Sequence, residues 1–170
     1  MEGDPISEAF ERFVSELYWS ESLEEAEEKL RDFIENMDED LRELLLERRR
    51  EICRDRGLVS RTGVMLSEIE LSRDEFESLE DLAVKAAVVT ALVNALFLVQ
   101  CTPSWSTMGP GEKARILAPL YRASYALRLA AKNRDAAEPL VDEALRMALI
   151  SLDRVAEAGL LDEMEEIAQA

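Results

Sequence analysis

The stretch that decides the fold is Leu82–Cys101, LAVKAAVVTALVNALFLVQC. Its twenty residues include one charged side chain, Lys85, and three uncharged polar ones, Thr90, Asn94 and Gln100. The segment is long enough for the ~30 Å apolar core of a bilayer, but a charge inside it and polar residues near its middle argue against a membrane span. We interpret it as the core helix of a soluble protein, starting near residue 79 and ending near residue 101.

On a helical wheel this segment has two unequal sides. Ala83, Ala87, Thr90, Asn94 and Cys101 form a narrow side of small residues, and bulkier aliphatic residues form the broad side. Small side chains allow a neighbouring helix to approach closely. We therefore predict that a second helix, from this chain or from a second copy, covers the narrow side. Asn94 would then be buried and would need a hydrogen-bond partner.

The rest of the chain indicates an all-α protein. Of its 170 residues 48% are hydrophobic and 34% charged, which is typical of folded proteins. Apolar residues recur at helical spacing on both sides of the central segment, and the short connections between these stretches favour antiparallel neighbours. The sequence predicts one domain over residues 1–170, an antiparallel bundle of five to seven helices around the apolar helix at about 79–101.

Several residues mark predicted helix ends. Asp4 before Pro5 is typical of a helix start, Ser22 with Glu25 forms a capping box, and Asp38 can cap a third helix.

Other signals leave the conformation open. Gly57 followed by Leu58 suggests a helix end, residues 58–72 read as helix or loop, and residues 102–111 read as a loop. Pro119 falls inside a helical pattern and should bend that helix.

Charge is unevenly distributed along this acidic chain, whose formal net charge is −17. Residues 1–47 hold seventeen acidic and four basic residues, whereas residues 48–63 hold six arginines and two acids. Residues 101–134 hold six basic residues and one acid. The overall negative field disfavours general nucleic-acid binding, but the two basic segments remain candidate sites for an anion.

Basic and aromatic side chains at helical spacing can clamp a phosphate or stack on a base. A competing interpretation is that these cations simply pair with the many acids, as in surface ion-pair networks. A third is that they meet an acidic protein partner. The candidate ligand-binding residues are Arg48, Arg49, Arg50, Arg54, Tyr121, Tyr125, Arg128 and Lys132.

The sequence points to no cofactor. It contains no histidine, which excludes Ser/His and Cys/His catalytic pairs and histidine-ligated zinc or haem. Cys53 and Cys101 lack C-x-x-C spacing, so we expect two reduced thiols in a cytoplasmic protein, with a structural disulfide as the less favoured alternative. Arginine greatly outnumbers lysine, and Asn and Gln are scarce, a composition that resembles heat-adapted proteins.

Glutamates spaced E-x-x-E, such as Glu24/Glu27, Glu25/Glu28 and Glu77/Glu80, are similar to the Mg²⁺-binding motifs of helical pyrophosphohydrolases of the MazG type. That resemblance implies a metal-dependent nucleotide pyrophosphohydrolase. The pattern also needs a second E-x-x-D pair on a facing helix, and the sequence offers no clean candidate for it, which counts against this interpretation.

The function predicted from sequence is non-catalytic: an interaction or subunit protein that binds a protein partner or a second copy of itself. One alternative is a nucleotide- or RNA-binding protein that uses residues 48–61 and 113–134. The other alternative is the metal-dependent hydrolase that would use the paired glutamates.

Overall fold

The computed structural model describes residues 5–169, apart from the side chains at positions 6, 70, 168 and 169. Within this range the fold is all-α, with 88% helix, nine α-helices and no strand. The α-helices are α1 (Pro5–Tyr18), α2 (Leu23–Glu35), α3 (Glu39–Cys53), α4 (Arg56–Leu71), α5 (Arg73–Glu77), α6 (Leu82–Phe97), α7 (Pro110–Lys132), α8 (Ala137–Glu157) and α9 (Leu160–Gln169). Short 3-10 helices cover Leu98–Cys101, Pro103–Thr107 and Arg134–Ala136.

Side-chain caps begin four of the described helices, α2, α3, α4 and α6. The Ser22 hydroxyl accepts a hydrogen bond from the Glu25 amide at 3.1 Å, and the Glu25 carboxylate accepts one from the Glu21 amide at 2.8 Å. Asp38 caps α3 in the same way, so both predicted caps are confirmed. Asp4 lies outside the described residues. The apolar helix starts later than predicted, because Asp81 is its cap and accepts from the Val84 amide.

Residues 56–71 form one helix, α4, which resolves the ambiguous stretch. The predicted helix end at Gly57 is wrong, because this glycine lies in the first turn of α4. Its helix cap is Asp55, whose carboxylate accepts a hydrogen bond from the Leu58 amide at 3.0 Å. In the described part of the chain the one glycine with positive φ is Gly159, where α8 gives way to α9.

The central core is built mainly on α7. This helix packs against α1, α2, α6 and α8 and continues through Pro119. Ten of its residues are buried, five of them alanines, which permit close helix contacts: Ala114, Ile116, Leu117, Ala118, Pro119, Leu120, Arg122, Ala123, Ala126 and Ala130.

The most apolar helix, α6, packs against α4, α7 and α8 with one side only. The narrow side of small residues faces outward: Ala83, Ala87, Thr90 and Asn94 are all exposed. No other helix of the described chain covers it. The expectation that Asn94 is buried is therefore wrong.

The segment Leu82–Cys101 is long and apolar enough to cross a membrane by length and composition alone. Its best 18-residue window has a mean hydropathy of 2.2, and 33% of that window is buried. The core helices of soluble proteins can have the same length and composition. This segment differs from a typical core helix in how little of it is buried. Apolar surface left in water costs free energy, so such exposure is unfavourable in an isolated chain.

Cys53 and Cys101 form a disulfide, which overturns the prediction of two reduced thiols. The bond joins the last residue of α3 to the 3-10 helix that follows α6. The prediction failed because the thiols were judged by compartment and motif, whereas the fold brings two residues that lie 48 positions apart into contact.

Candidate functional site

A partly apolar cleft of about 310 Å³ lies between α2, α3 and α7, at the small end of the range for small-molecule sites. Its apolar wall carries four aromatic rings. The residues lining the cleft are Phe10, Leu30, Phe33, Ile34, Met37, Arg42, Leu45, Leu46, Arg49, Gln100, Trp105, Ser106, Lys113, Leu117 and Tyr121.

Three cations line this cleft: Arg42 and Arg49 from α3, and Lys113 from the first turn of α7. The described lining residues include no carboxylate. Burial lowers the pKa of Lys113, and the charges of Arg49 and Arg42 lower it further. Burial also lowers the pKa of Arg49, with a smaller contribution from Arg50. The charges of Arg49 and Arg42 therefore act against the charged form of Lys113, and an anion beside Lys113 would relieve that repulsion.

The half-buried cations elsewhere are all neutralised by an acid. Arg73 pairs with Asp153 and Lys85 with Asp142, each at 2.6 Å. The other two pairs are Lys29 with Glu25 and Arg154 with Glu27.

Arg49 and Lys113 are also half-buried, yet neither forms an ion pair with a described residue. The interpretation that the cations merely pair with acids thus fits the other half-buried cations of the described chain but not the two in the cleft.

Arg122 is a separate case. It is 8% exposed, and within the described chain its Nε and Nη1 atoms have no hydrogen-bond partner. Its charge acts on Tyr18, whose pKa is nevertheless raised to about 12 by burial and by the hydrogen bond that its hydroxyl donates to Glu143. Arg122 does not line the cleft, so we do not include it in the site.

The aromatic wall is a connected set of rings. The Phe10 ring lies edge-on to Tyr121, with centroids 5.5 Å apart, and 6.4 Å from Phe33. Lys113 Nζ lies 5.8 Å from the Trp105 ring centroid, within cation–π range. Burial raises the pKa of Tyr121 to about 12. The cleft thus offers an apolar, aromatic body next to a cluster of positive charge.

The wall supplied by α3 is held differently from the others. None of the residues of α3 is buried, and its main contact outside itself is the 3-10 helix Leu98–Cys101. Its C-terminal residue, Cys53, is bonded to Cys101. Because Gln100 and Trp105 lie just before and after that bond and also line the cleft, the disulfide holds two walls of the cleft together.

The structure brings together only part of the residue set predicted from sequence. Arg49 and Tyr121 line the cleft. Arg48, Arg50 and Arg54 are exposed and do not line it, because helical spacing turns them away from the side that carries Arg49.

Tyr125, Arg128 and Lys132 line a second, more open groove between α1 and α7, of about 470 Å³. This groove also contains acids: Arg128 lies 3.8 Å from Glu11, and Glu8 is a further lining residue. Mixed charge makes it a poorer anion site than the cleft. The two basic segments therefore meet in the cleft only through Arg49 and Lys113.

Sequence reasoning missed Arg42 as a site residue, because it lies in the strongly acidic segment 1–47. Arg42 and Arg49 are seven residues apart, two helical turns, so they share one side of α3. Leu45 and Leu46 lie between them and also line the cleft. That spacing was the available signal.

Among the described residues no group of three or more cysteines and acids lies close enough to hold a metal ion. Glu25 and Glu27, from the predicted glutamate pairs, bind Lys29 and Arg154. No protein-family model, curated protein or solved structure matches this chain.

Proposed function

We propose that the protein is a non-catalytic binding protein whose ligand is a small amphipathic anion, held in the cleft between α2, α3 and α7. The observation that carries this proposal is the pair of half-buried cations without an acid, Arg49 and Lys113, beside an aromatic wall. A carboxylate or phosphate between these cations would make charge-assisted hydrogen bonds. Its apolar body would cover Phe10, Phe33 and Tyr121.

The size of the cleft limits the ligand. A volume of about 310 Å³ holds roughly ten water-sized groups, enough for a medium-chain fatty acid, an aromatic acid or part of a nucleotide. The nucleotide-binding alternative predicted from the sequence fits this proposal, because a nucleotide phosphate could supply the anion. RNA is a weaker candidate, because the exposed arginines of residues 48–61 do not join the cleft and the net charge repels a polyanion.

Three ligands with one body and different head groups test the proposal: octanoate, octanol and octylammonium. Binding is followed by the fluorescence of Trp105 in a Trp19→Phe background, because Trp19 is 67% exposed and Trp105 2%. We expect octanoate to bind at least about tenfold more tightly than octanol, from one charge-assisted hydrogen bond, and octylammonium to bind more weakly than either. Equal affinity for all three would contradict the proposal.

Matched variants locate the binding. Lys113→Gln and Arg49→Gln should each weaken octanoate binding by about tenfold or more, while leaving octanol unchanged. Arg48→Gln, on the same helix but exposed and outside the cleft, is the control and should bind as the wild type does. If Arg48→Gln weakens binding as much as Arg49→Gln, general charge and not the cleft is responsible.

Adenosine monophosphate distinguishes the two sources of the anion. Competition with octanoate, lost in Lys113→Gln, would identify a nucleotide phosphate as an acceptable head group. No competition would restrict the ligand to smaller organic acids.

Three further predictions also remain proposals. Neighbouring helices run antiparallel, supported by the short connection 133–136 between α7 and α8. The cytoplasmic location is compatible with the disulfide if the organism is heat-adapted, because intracellular disulfides are common in hyperthermophiles. The third, a role as an interaction or self-associating subunit, is supported by the outer side of α6.

A further inference from the structure

The outer side of α6 is a face of an apolar helix that no other helix of the described chain covers. Ala83, Ala87, Thr90 and Asn94 are exposed along it, and Val84 at its edge is 48% exposed. On the neighbouring helix α4, Val64 and Leu71 are also exposed, at 51% and 87%.

Opposite charges flank the two ends of α6. At its N-terminal end, residues 73–81 hold five acids and one base, and all five acids are exposed. At its C-terminal end, Cys101 is bonded to Cys53, so the exposed Arg54 and Arg56 lie next to that end, with the α4 cap Asp55 between them. The helix of 16 residues spans roughly 24 Å at 1.5 Å per residue, and the 3-10 helix Leu98–Cys101 adds to the separation of the two clusters.

We propose that this side of α6 pairs with the same side of a second copy, with the two α6 helices antiparallel around a two-fold axis near Thr90. An isologous contact of this kind must be complementary to itself. The axis places Ala87 of one copy opposite the partner's Asn94, so small residues meet at the closest approach. It also places Glu80 opposite the partner's Cys101, and therefore each acidic cluster beside Arg54 and Arg56.

This charge arrangement favours a second copy over a lipid surface. The acidic cluster at residues 73–81 would be repelled by anionic lipid head groups, whereas a second copy supplies arginines at the required position. Thr90 and Asn94, near the middle of the exposed side, would be unfavourable in hydrocarbon but acceptable in a protein contact. The proposal does not depend on the cleft, because none of these residues lines it.

Sedimentation velocity of the full chain tests the proposal. We expect the wild type to be a dimer, and Ala87→Arg to be a folded monomer with the wild-type circular dichroism spectrum. Ala131→Arg, at another exposed alanine on a helix, is the control and should remain dimeric. A monomeric wild type, or a dimer that Ala87→Arg leaves intact, would overturn the proposal.

Charge reversal tests the antiparallel orientation. Glu80→Arg and Arg54→Glu should each weaken dimerisation by about tenfold, and the double variant should recover most of the loss. A double variant weaker than either single one would overturn the antiparallel arrangement. Flotation with phosphatidylcholine/phosphatidylglycerol vesicles tests the membrane as the other occupant of this face. A monomer that binds vesicles, and loses that binding in Ala87→Arg, would overturn the dimer and identify a membrane surface instead.

Discussion

Helices α6 and α7 differ in opposite ways in their hydropathy and their burial. The helix α6 is the more apolar, with one charged residue in 16, but its outer side is exposed. The helix α7 carries a basic or acidic residue in nearly every turn, yet ten of its 23 residues are buried. Burial therefore follows the number of neighbouring helices, four for α7 and three on one side for α6, and not hydropathy alone.

The contrast extends to α3, which is fixed at its end by a disulfide although none of its residues is buried. The chain thus combines a covered interior, an apolar side left open, and a covalently held wall of the ligand cleft. Substitutions in each of the three should differ in their effects on stability and binding.

Loss of the disulfide should destabilise the protein most. In the loop-entropy description a bond that closes 48 residues contributes about 4 kcal/mol to the free energy of unfolding. The variant Cys53→Ser with Cys101→Ser should lose about this amount in urea unfolding, and should also weaken octanoate binding because α3 is no longer held against the 3-10 helix. Wild-type protein treated with a dithiol reductant is the control and should behave alike. A loss below about 1 kcal/mol would show that packing holds α3.

Two valines on α6 compare its inner and outer sides. Val93 is 3% exposed and Val84 48% exposed. Val93→Ala should lower the free energy of unfolding by about 2 to 3 kcal/mol, from lost burial and the cavity left behind. Val84→Ala should cost less than about 1 kcal/mol in the monomer, measured at a protein concentration below the dimerisation range. Equal losses would mean that α6 has no open side.

Two glycines on α4 make a similar comparison. A Cβ at Gly63 would lie 2.7 Å from the backbone carbonyl oxygen of Met164 on α9, whereas the nearest atom at Gly57 is 3.6 Å away. Gly63→Ala should therefore cost about 1 to 2 kcal/mol in thermal or urea unfolding, because backbone must move. Gly57→Ala should be neutral or slightly stabilising, since alanine favours helix. A stable Gly63→Ala variant would show that α9 is free to shift.

Ionisation of Tyr121 at alkaline pH should change the free energy of unfolding less than the substitutions above. Burial raises the pKa of Tyr121 from its ordinary value near 10 to about 12, so the folded state holds this proton more tightly than the unfolded state. The resulting stabilisation is present below pH 10 and is lost as the pH rises towards 12. The free energy of unfolding should therefore decline less steeply over this range in Tyr121→Phe than in the wild type.

Tyr125→Phe is the matched control for that titration. The pKa of Tyr125 is lowered, first by the hydrogen bond from Ser15, so its ionisation does not oppose folding. The alkaline loss of stability in Tyr125→Phe should equal or exceed that of the wild type. If the free energy of unfolding declines less steeply with pH in Tyr125→Phe and not in Tyr121→Phe, Tyr121 is not the group responsible.

Local features were predictable from the sequence because their causes are local. The caps at Ser22 and Asp38 each follow from a few neighbouring residues, and the all-α class follows from helical spacing along the chain. The disulfide, the exposure of Asn94 and the cation cluster depend instead on contacts between distant segments. Arg49 and Lys113 were within the predicted basic segments, but only the fold shows that they share a cleft with Arg42.

The Cys53–Cys101 disulfide cannot exchange with another thiol of the same chain. Cys53 and Cys101 are the only cysteines in the sequence, so no third thiolate within the chain can attack their bond and no alternative intrachain pairing exists. Exchange must begin with a thiolate from outside. In non-reducing conditions the chain therefore folds towards one possible intrachain bond, without rearrangement between isomers.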